Sequence, residues 1–197
     1  MGRLHAQLER ISSSILDYPG REALRGDICR HPAAVCVLFS GPEFDEASVL
    51  LIERSVGVKT HRGQVAFPGG QLDPIDDGDA VRAAFRECGE ETGIPFSELR
   101  LAGELPAFPT LTGDFEVIPI VASVDTAFAL AGVDPQEVAF AEWVSVRQLR
   151  ASREFERVNI QGREVDAPVF WWGKRKMWGL SAWIFDLVLR RHGTIGA

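Results

Sequence analysis

Apolar and polar positions along the chain follow two periods, and the switches between them outline its elements. Leu4, Leu8, Ile11 and Ile15 recur at helical spacing, which predicts a short amphipathic helix over 3–16. The polar stretch DYPGREALRGDICRHP, 17–32, reads as a linker or loop. Two apolar runs follow, AAVCVLF at 33–39 and SVLLIE at 48–53, and predict neighbouring strands joined by a turn. After a basic, glycine-bearing loop, RSVGVKTHRGQ, and then VAFPGG, residues 79–92 return to helical periodicity and stop at Gly93. Glycine tolerates the left-handed conformation that ends many helices.

LRLAGEL (99–105), FEVIPIVASV (115–124) and EVAFAEWVSV (137–146) predict further strands. Ser145 is placed to cap a short helix, VRQLRAS. RVNIQGREVDAPVFW predicts a hairpin around Gln161-Gly162, and GLSAWIFDLVLRR a closing helix. There is no internal repeat or low-complexity segment. Strands interleaved with helices predict an α/β or α+β layered domain. A length of 197 residues suits one domain, 1–197, with a helix and linker at 1–32 and a core with its closing helix at 33–192.

Composition narrows the partners. With 46% hydrophobic residues the chain can build an ordinary core, and a formal charge of −7 argues against a broad nucleic-acid surface. The three cysteines, Cys29, Cys36 and Cys88, form no CxxC pair, which suits reduced thiols in the cytoplasm. No secretory h-region and no bilayer-spanning run is visible, so the expectation is a cytoplasmic protein with no membrane contact.

One stretch is unusual. RECGEETG, 86–93, places Glu87, Glu90 and Glu91 within five positions. At about 100° per residue, Glu90 and Glu91 fall at about −60° and +40° from Glu87, and all three share one face. Val81, Ala84, Phe85 and Cys88 form a separate apolar side. Ala83 falls at about −40°, inside the acidic strip, where its small side chain would leave space for a ligand. Like charges at this spacing repel, and Arg86 can offset part of that by pairing with Glu90. A solvated charged face is the ordinary outcome of such a cluster. A divalent cation would reverse its sign, because Mg²⁺ takes oxygen ligands together with water and substrate phosphate.

The segment GGQLDPIDDGDAVRAAFRECGEETGI resembles the Nudix box, Gx5Ex7REUxEExGU, with U aliphatic. Arg86, Glu87, Glu90, Glu91, Gly93 and Ile94 match position by position. Asp76 stands where the early glutamate would be, with nine residues between it and Arg86 instead of seven, and Cys88 fills the first aliphatic slot. Gly89 inside the helix costs about 1 kcal/mol relative to alanine. The resemblance implies a Nudix fold: a mixed β-sheet sandwiched between helices, with the box as loop–helix–loop. It also implies Mg²⁺ or Mn²⁺ held by Glu87, Glu90, Glu91 and the Gly69 carbonyl. Catalysis is expected of Glu90, Glu91 and Arg86, with Glu137 as a further ligand or general base and Glu142 and Glu116 as its rivals.

Upstream, LLIERSVGVKTHRGQVAFPGG resembles the motif that precedes the box in coenzyme A pyrophosphatases. Leu50, Leu51, Arg54, Ser55, Gly63, Phe67, Pro68, Gly69 and Gly70 fit in register, with Ile52 and Lys59 departing from it. GGxxDxxD, through Asp73 and Asp76, and the tail KMWGLSAWIFDLVL share that likeness. Arg54, Lys59, His61, Arg62 and Gly70 are therefore expected to bind substrate. Phe67 is expected in the core, and Trp178 as a pocket wall or a buried packing residue. His5, His31 and His192 have no ligand-like spacing. The implied activity is hydrolysis of the diphosphate of coenzyme A or its thioesters, giving 3′,5′-ADP and 4′-phosphopantetheine or its acyl form. The alternatives are a Nudix enzyme for NADH, ADP-ribose or nucleoside triphosphates, and a non-catalytic nucleotide-binding module. A small-molecule partner is expected, and a homodimer is the assembly to test.

Overall fold

In the computed structural model, which describes residues 2–14, 31–55, 63–110, 113–130, 138–160 and 162–195, the apolar runs become strands covered on both faces. Among the described residues four α-helices, α1 (Arg3–Ser13), α2 (Ala80–Thr92), α3 (Val146–Ala151) and α4 (Gly179–Ile195), frame the strands. The main strands are β1 (His31–Ser40), β2 (Ser48–Arg54), β3 (Val65–Ala66), β4 (Gly69–Gln71), β5 (Arg100–Glu104), β6 (Phe108–Pro109), β7 (Phe115–Val124) and β8 (Val138–Ser145). They form one mixed sheet in the order β3-β2-β1-β7-β5, with β4 also on β1, β6 on β7 and β8 on β2. A separate antiparallel sheet follows, from β9 (Glu154–Ile160), β10 (Arg163–Trp172) and β11 (Arg175–Met177).

Successive strand residues point to opposite faces, so a strand covered twice must be apolar at nearly every position. Ala34, Cys36 and Leu38 of β1, Leu50 of β2, and Ile120 and Ala122 of β7 face Ala83, Ala84, Phe85 and Cys88 of α2. Val37, Phe39, Val49, Leu51 and Val121 join the opposite core with Leu4, Leu8 and Ile11 of α1 and Phe185, Leu187 and Val188 of α4. The main sheet is thus sandwiched between helices. No described helix is long and apolar enough to cross a membrane.

The expected β1–β2 hairpin forms, but only at its tip, where Phe39 pairs with Val49 and Ser40 with Ser48. Beyond the tip the strands part. Ala33, Ala34 and Val35 pair instead with Gln71, Gly70 and Gly69 of β4, and β8 runs along β2. On its other side β1 lies parallel to β7 from His31↔Phe115 to Ser40↔Val124. His31 and Pro32, expected in the linker, therefore belong to β1, because the parallel partner extends that far. Residues 15–30, including Ile15, Cys29 and most of that linker, lie outside the described residues.

Local signals are honoured elsewhere. Ser145 Oγ accepts from the Gln148 N–H at the start of α3. In the β9–β10 hairpin, Gly162 has φ 84° and donates its N–H to Asn159 Oδ1 at 2.9 Å; Gln161 is not among the described residues. Helix α1 is held from outside itself. The buried Arg191 of α4 donates through Nη1 to the Ile11 and Ser12 carbonyls, both at 3.1 Å, at the end of α1 where helical carbonyls lack partners. Arg191→Met removes the Arg191 bond to the Ser12 carbonyl and leaves the Ile11 carbonyl with the long 3.4 Å bond from the Ser14 N–H, and we expect a loss of about 1–3 kcal/mol. Urea unfolding should show a lower midpoint at an unchanged slope.

Candidate active site

The site begins with two caps that fix where α2 starts. Asp79 Oδ1 accepts from the Val81 and Arg82 N–H groups at 2.8 and 3.2 Å, the expected role of an aspartate before a helix. Just before it, a 3₁₀ turn at Pro74–Asp76 carries a capping box: the Asp73 side chain accepts from the Asp76 N–H, and Asp76 Oδ2 from the Asp73 N–H at 2.8 Å. At the far end Gly93, with φ 76°, donates its N–H to the Gly89 carbonyl at 2.8 Å. The returning chain brings the Ile94 carbonyl so near that a Cβ on Gly89 would lie 3.2 Å from it. An alanine there would need that carbonyl to give way by a few tenths of an ångström.

The three box glutamates share a helix face but not an environment. Side-chain exposure rises from 3% at Glu91 through 19% at Glu87 to 58% at Glu90. Glu91 Oε2 accepts from the Gly69 N–H at 2.9 Å, and its Oε1 lies 3.8 Å from Nη1 of Arg54. Glu87 rests over β4. A Cβ on Gly70 would sit 2.5 Å from its carboxyl carbon, so a larger residue there would push the Glu87 carboxylate off its present position. Gly69 is equally constrained, with φ 156° and a hypothetical Cβ 2.3 Å from the Ala34 carbonyl oxygen. The FPGG turn thus presents backbone to α2 without side chains in between. Ala83 is fully buried in the sheet-side core, so it packs and leaves no ligand space, contrary to the sequence expectation.

Arg86 organises the acidic face. Its Nε and Nη2 donate to both oxygens of Asp76, at 3.0 and 2.9 Å. Its Nη1 donates to Glu87 Oε1 at 2.9 Å and, as the sequence suggested, to Glu90 Oε2 at 3.1 Å. Asp73 stands 3.6 Å away. The two-pronged bond from Arg86 holds the buried Asp76 carboxyl below the usual aspartate range. Glu87 moves the other way: burial raises its carboxyl above the usual range, more than Arg86 lowers it. The guanidinium itself is held charged by Asp76 and Glu87. The early acid of the box therefore has a definite place despite the longer spacer, as the anchor of Arg86.

Of the other expected residues, Lys59, His61, Arg62 and Glu137 lie outside the described residues. Glu142 accepts from Trp172 Nε1 at 3.1 Å, and Glu116 is exposed on β7 beside Pro32 and Pro109. Phe67 is core. Trp178 is 47% exposed and so is not the buried packing residue considered above. His5 is bonded to Ser123 Oγ at 2.8 Å, His31 is tilted against Phe115, and His192 stacks on Phe44. Sequence reasoning missed the contacts of Glu53 and Trp172, which involve partners distant in the chain and carry no local signal.

A model of the NUDIX domain matches residues 30–165. The chain belongs to the Nudix family. It is 32% identical over 157 residues to an uncharacterized Nudix hydrolase, NudL, of Photorhabdus laumondii, covering 79% of this chain and 81% of that one. NudL of Yersinia enterocolitica, likewise uncharacterized, is 33% identical over 154 residues, covering 77% and 76%. Among solved structures, the MutT protein of Methanosarcina mazei superposes with a TM-score of 0.54 at 20% identity, over 88% of this chain and all of that one.

Nudix hydrolases generally use divalent metal ions. The donors here suit a hard cation, being carboxylate oxygens on one helix face above a side-chain-free backbone turn. Among the described residues no three such side chains already converge as ligands; Arg86 holds Glu87 and Glu90, and Gly69 holds Glu91.

The opposed shifts of Asp76 and Glu87 set a test on the metal-free protein. Asp76, with its lowered folded value, contributes stability that is fully present above the ordinary aspartate range and lost as pH falls through the folded value. Asp76→Asn should therefore cost about 1–3 kcal/mol at neutral pH, with the difference from wild type closing under acid. Glu87, with its raised value, loses stability as pH rises and it ionises, so Glu87→Gln should be neutral or stabilising at pH 7. Urea titrations across pH check both signs.

Proposed function

We propose that this chain hydrolyses the diphosphate bond of coenzyme A or an acyl-coenzyme A, with Mg²⁺ or Mn²⁺, to 3′,5′-ADP and 4′-phosphopantetheine or its acyl form. The observation that carries the diphosphatase reading is the arrangement of Glu87 and Glu91 over Gly69-Gly70, with Arg86 bridging Glu87 to Glu90. Glu87, Glu90, Glu91 and the Gly69 carbonyl would hold the metal. When bound, the ion activates water and neutralises charge on the diphosphate oxygens. Arg86 orients Glu87 and Glu90, and Asp76 keeps Arg86 in place. The proton of the attacking water passes to a carboxylate, Glu90 or Glu91 on α2 or Glu137 before β8. Binding of the phosphates falls to Arg54, Lys59, His61 and Arg62, with Gly70 allowing close approach of the backbone.

The coenzyme A assignment is supported by the register from Arg54 to Gly70 and by the basic residues within it, which suit a substrate bearing a 3′-phosphate besides its diphosphate. A panel of coenzyme A, 3′-dephospho-coenzyme A, NADH, ADP-ribose and nucleoside triphosphates, with products identified by mass, tests it. Coenzyme A should be turned over faster than its dephospho form; equal or faster turnover of the latter rejects the 3′-phosphate argument. Glu90→Gln and Glu91→Gln should each lower kcat by about a hundredfold or more while unfolding at near-wild-type urea concentrations. A variant that keeps full turnover removes that glutamate from the mechanism. Absence of turnover on the whole panel with either metal would favour a non-catalytic nucleotide-binding module.

A further inference from the structure

We infer that Arg175, on the face of the main sheet away from the box glutamates, is a positioning residue for Arg54. The inference rests on the placement of Arg54 in the site proposed above. Glu53 and Arg54 are consecutive on β2 and so project to opposite faces. Arg54 reaches toward α2, where Nη1 lies 3.8 Å from Glu91 Oε1. Its backbone is tied to the strand returning from the basic loop: its N–H donates to the Gln64 carbonyl at 3.0 Å, and its carbonyl accepts from the Gly63 N–H at 2.9 Å. Glu53 pairs with Phe140 of β8, and Arg54 with Val138, so the register skips Ala139 at this point. The extra residue is on β8, so β8 bends there and the local twist between the two strands increases beside Arg54.

One guanidinium holds both members of the last regular pair before that skip. Arg175 Nε donates to Glu53 Oε2 at 3.0 Å, and its Cζ stands 3.9 Å over the centre of the Phe140 ring. The stacking and the ion pair reinforce each other, since a charge on an aromatic face is favoured where water is partly excluded. Arg175 belongs to β11, and β11 also contacts β3. The small sheet therefore grips the end of β2 from behind through Arg175. A separation of 3.8 Å between Arg54 and Glu91 exceeds hydrogen-bonding distance, so a slight turn of the strand end decides how Arg54 divides between that carboxylate and a substrate phosphate.

Two readouts test this. In substrate-free protein, the arginine Nε–H signal of Arg54 in NMR spectra should shift in Arg175→Met and return most of the way in Arg175→Lys, while that of Arg86 stays near its wild-type position. An Arg54 signal unmoved by Arg175→Met overturns the inference, and this measurement needs no turnover. In kinetics, Arg175→Met should lower kcat/KM roughly five- to tenfold in the wild-type background and less than about twofold when Arg54→Gln is already present. Equal losses in both backgrounds would make Arg175 a support of the fold alone and overturn the inference. Glu53→Gln, which leaves Arg175 over Phe140, should reproduce the same coupling; it carries the comparison if Arg175→Met fails to fold. A chain that hydrolyses none of the diphosphates defeats the functional reading, and the NMR comparison still decides the positioning.

Discussion

The acidic face of α2 can exist because a single guanidinium is shared among several carboxylates. Glutamates at helical spacing repel one another, and burial makes the repulsion stronger by lowering the local dielectric. Arg86 meets Asp76 with two parallel donors and keeps Nη1 for Glu87 and Glu90. Only a planar fork can do this; a lysine offers a point charge that cannot hold Asp76 along one edge while bonding two glutamates from the other. The capping box between Asp73 and Asp76 fixes the anchor to the turn that precedes the helix, so the loop, the helix and its charges form one mechanical unit.

Among the described residues the compensation is incomplete: five carboxylates, Asp73, Asp76, Glu87, Glu90 and Glu91, stand around two guanidiniums, those of Arg86 and Arg54. The surplus negative charge is not spread evenly. Asp76 is satisfied, and burial works against the ionised form of Glu87. A carboxylate whose charged form is penalised gains most from a cation placed beside it. The FPGG turn adds the missing element by removing side chains from the floor: Gly70 makes room for Glu87, and Gly69 lends an amide to Glu91.

Much of this was legible because it is local. The period of α2, Asp79 before it and Gly93 after it are written within a few residues, and so is the matching series Arg86, Glu87, Glu90, Glu91. What escaped depends on where distant segments meet. The two and three residues of β3, β4, β6 and β11 are too short to show a period, yet β4 displaces β2 from most of β1 and brings Gly69-Gly70 under the helix. Ala83 shows the same limit. A helical wheel places it among the acids, but Ala83, Glu87 and Glu91 stand four residues apart on one ridge at the seam with the sheet, so the strip is bounded by core instead of solvent on that side. Glu53, paired with Arg175 across 122 positions, could not be read at all.

Stability alone gives no reason for Glu91. Burying a carboxylate carries a desolvation cost of several kcal/mol that its partners only partly recover, and an apolar side chain of similar volume commonly does as well or better. Here a carboxylate with 3% exposure is held by a backbone amide and faced by Arg54, and the backbone that holds it is confined to glycine by contacts of its own. Each of these features constrains the fold without deepening the core. A charge kept in so unfavourable a place, at fixed orientation and beside a second carboxylate that burial disfavours, is accounted for by a task performed on a charged partner. The divalent ion and diphosphate proposed above would be such a partner, drawing on the same oxygens, the same bare backbone and the same arginines.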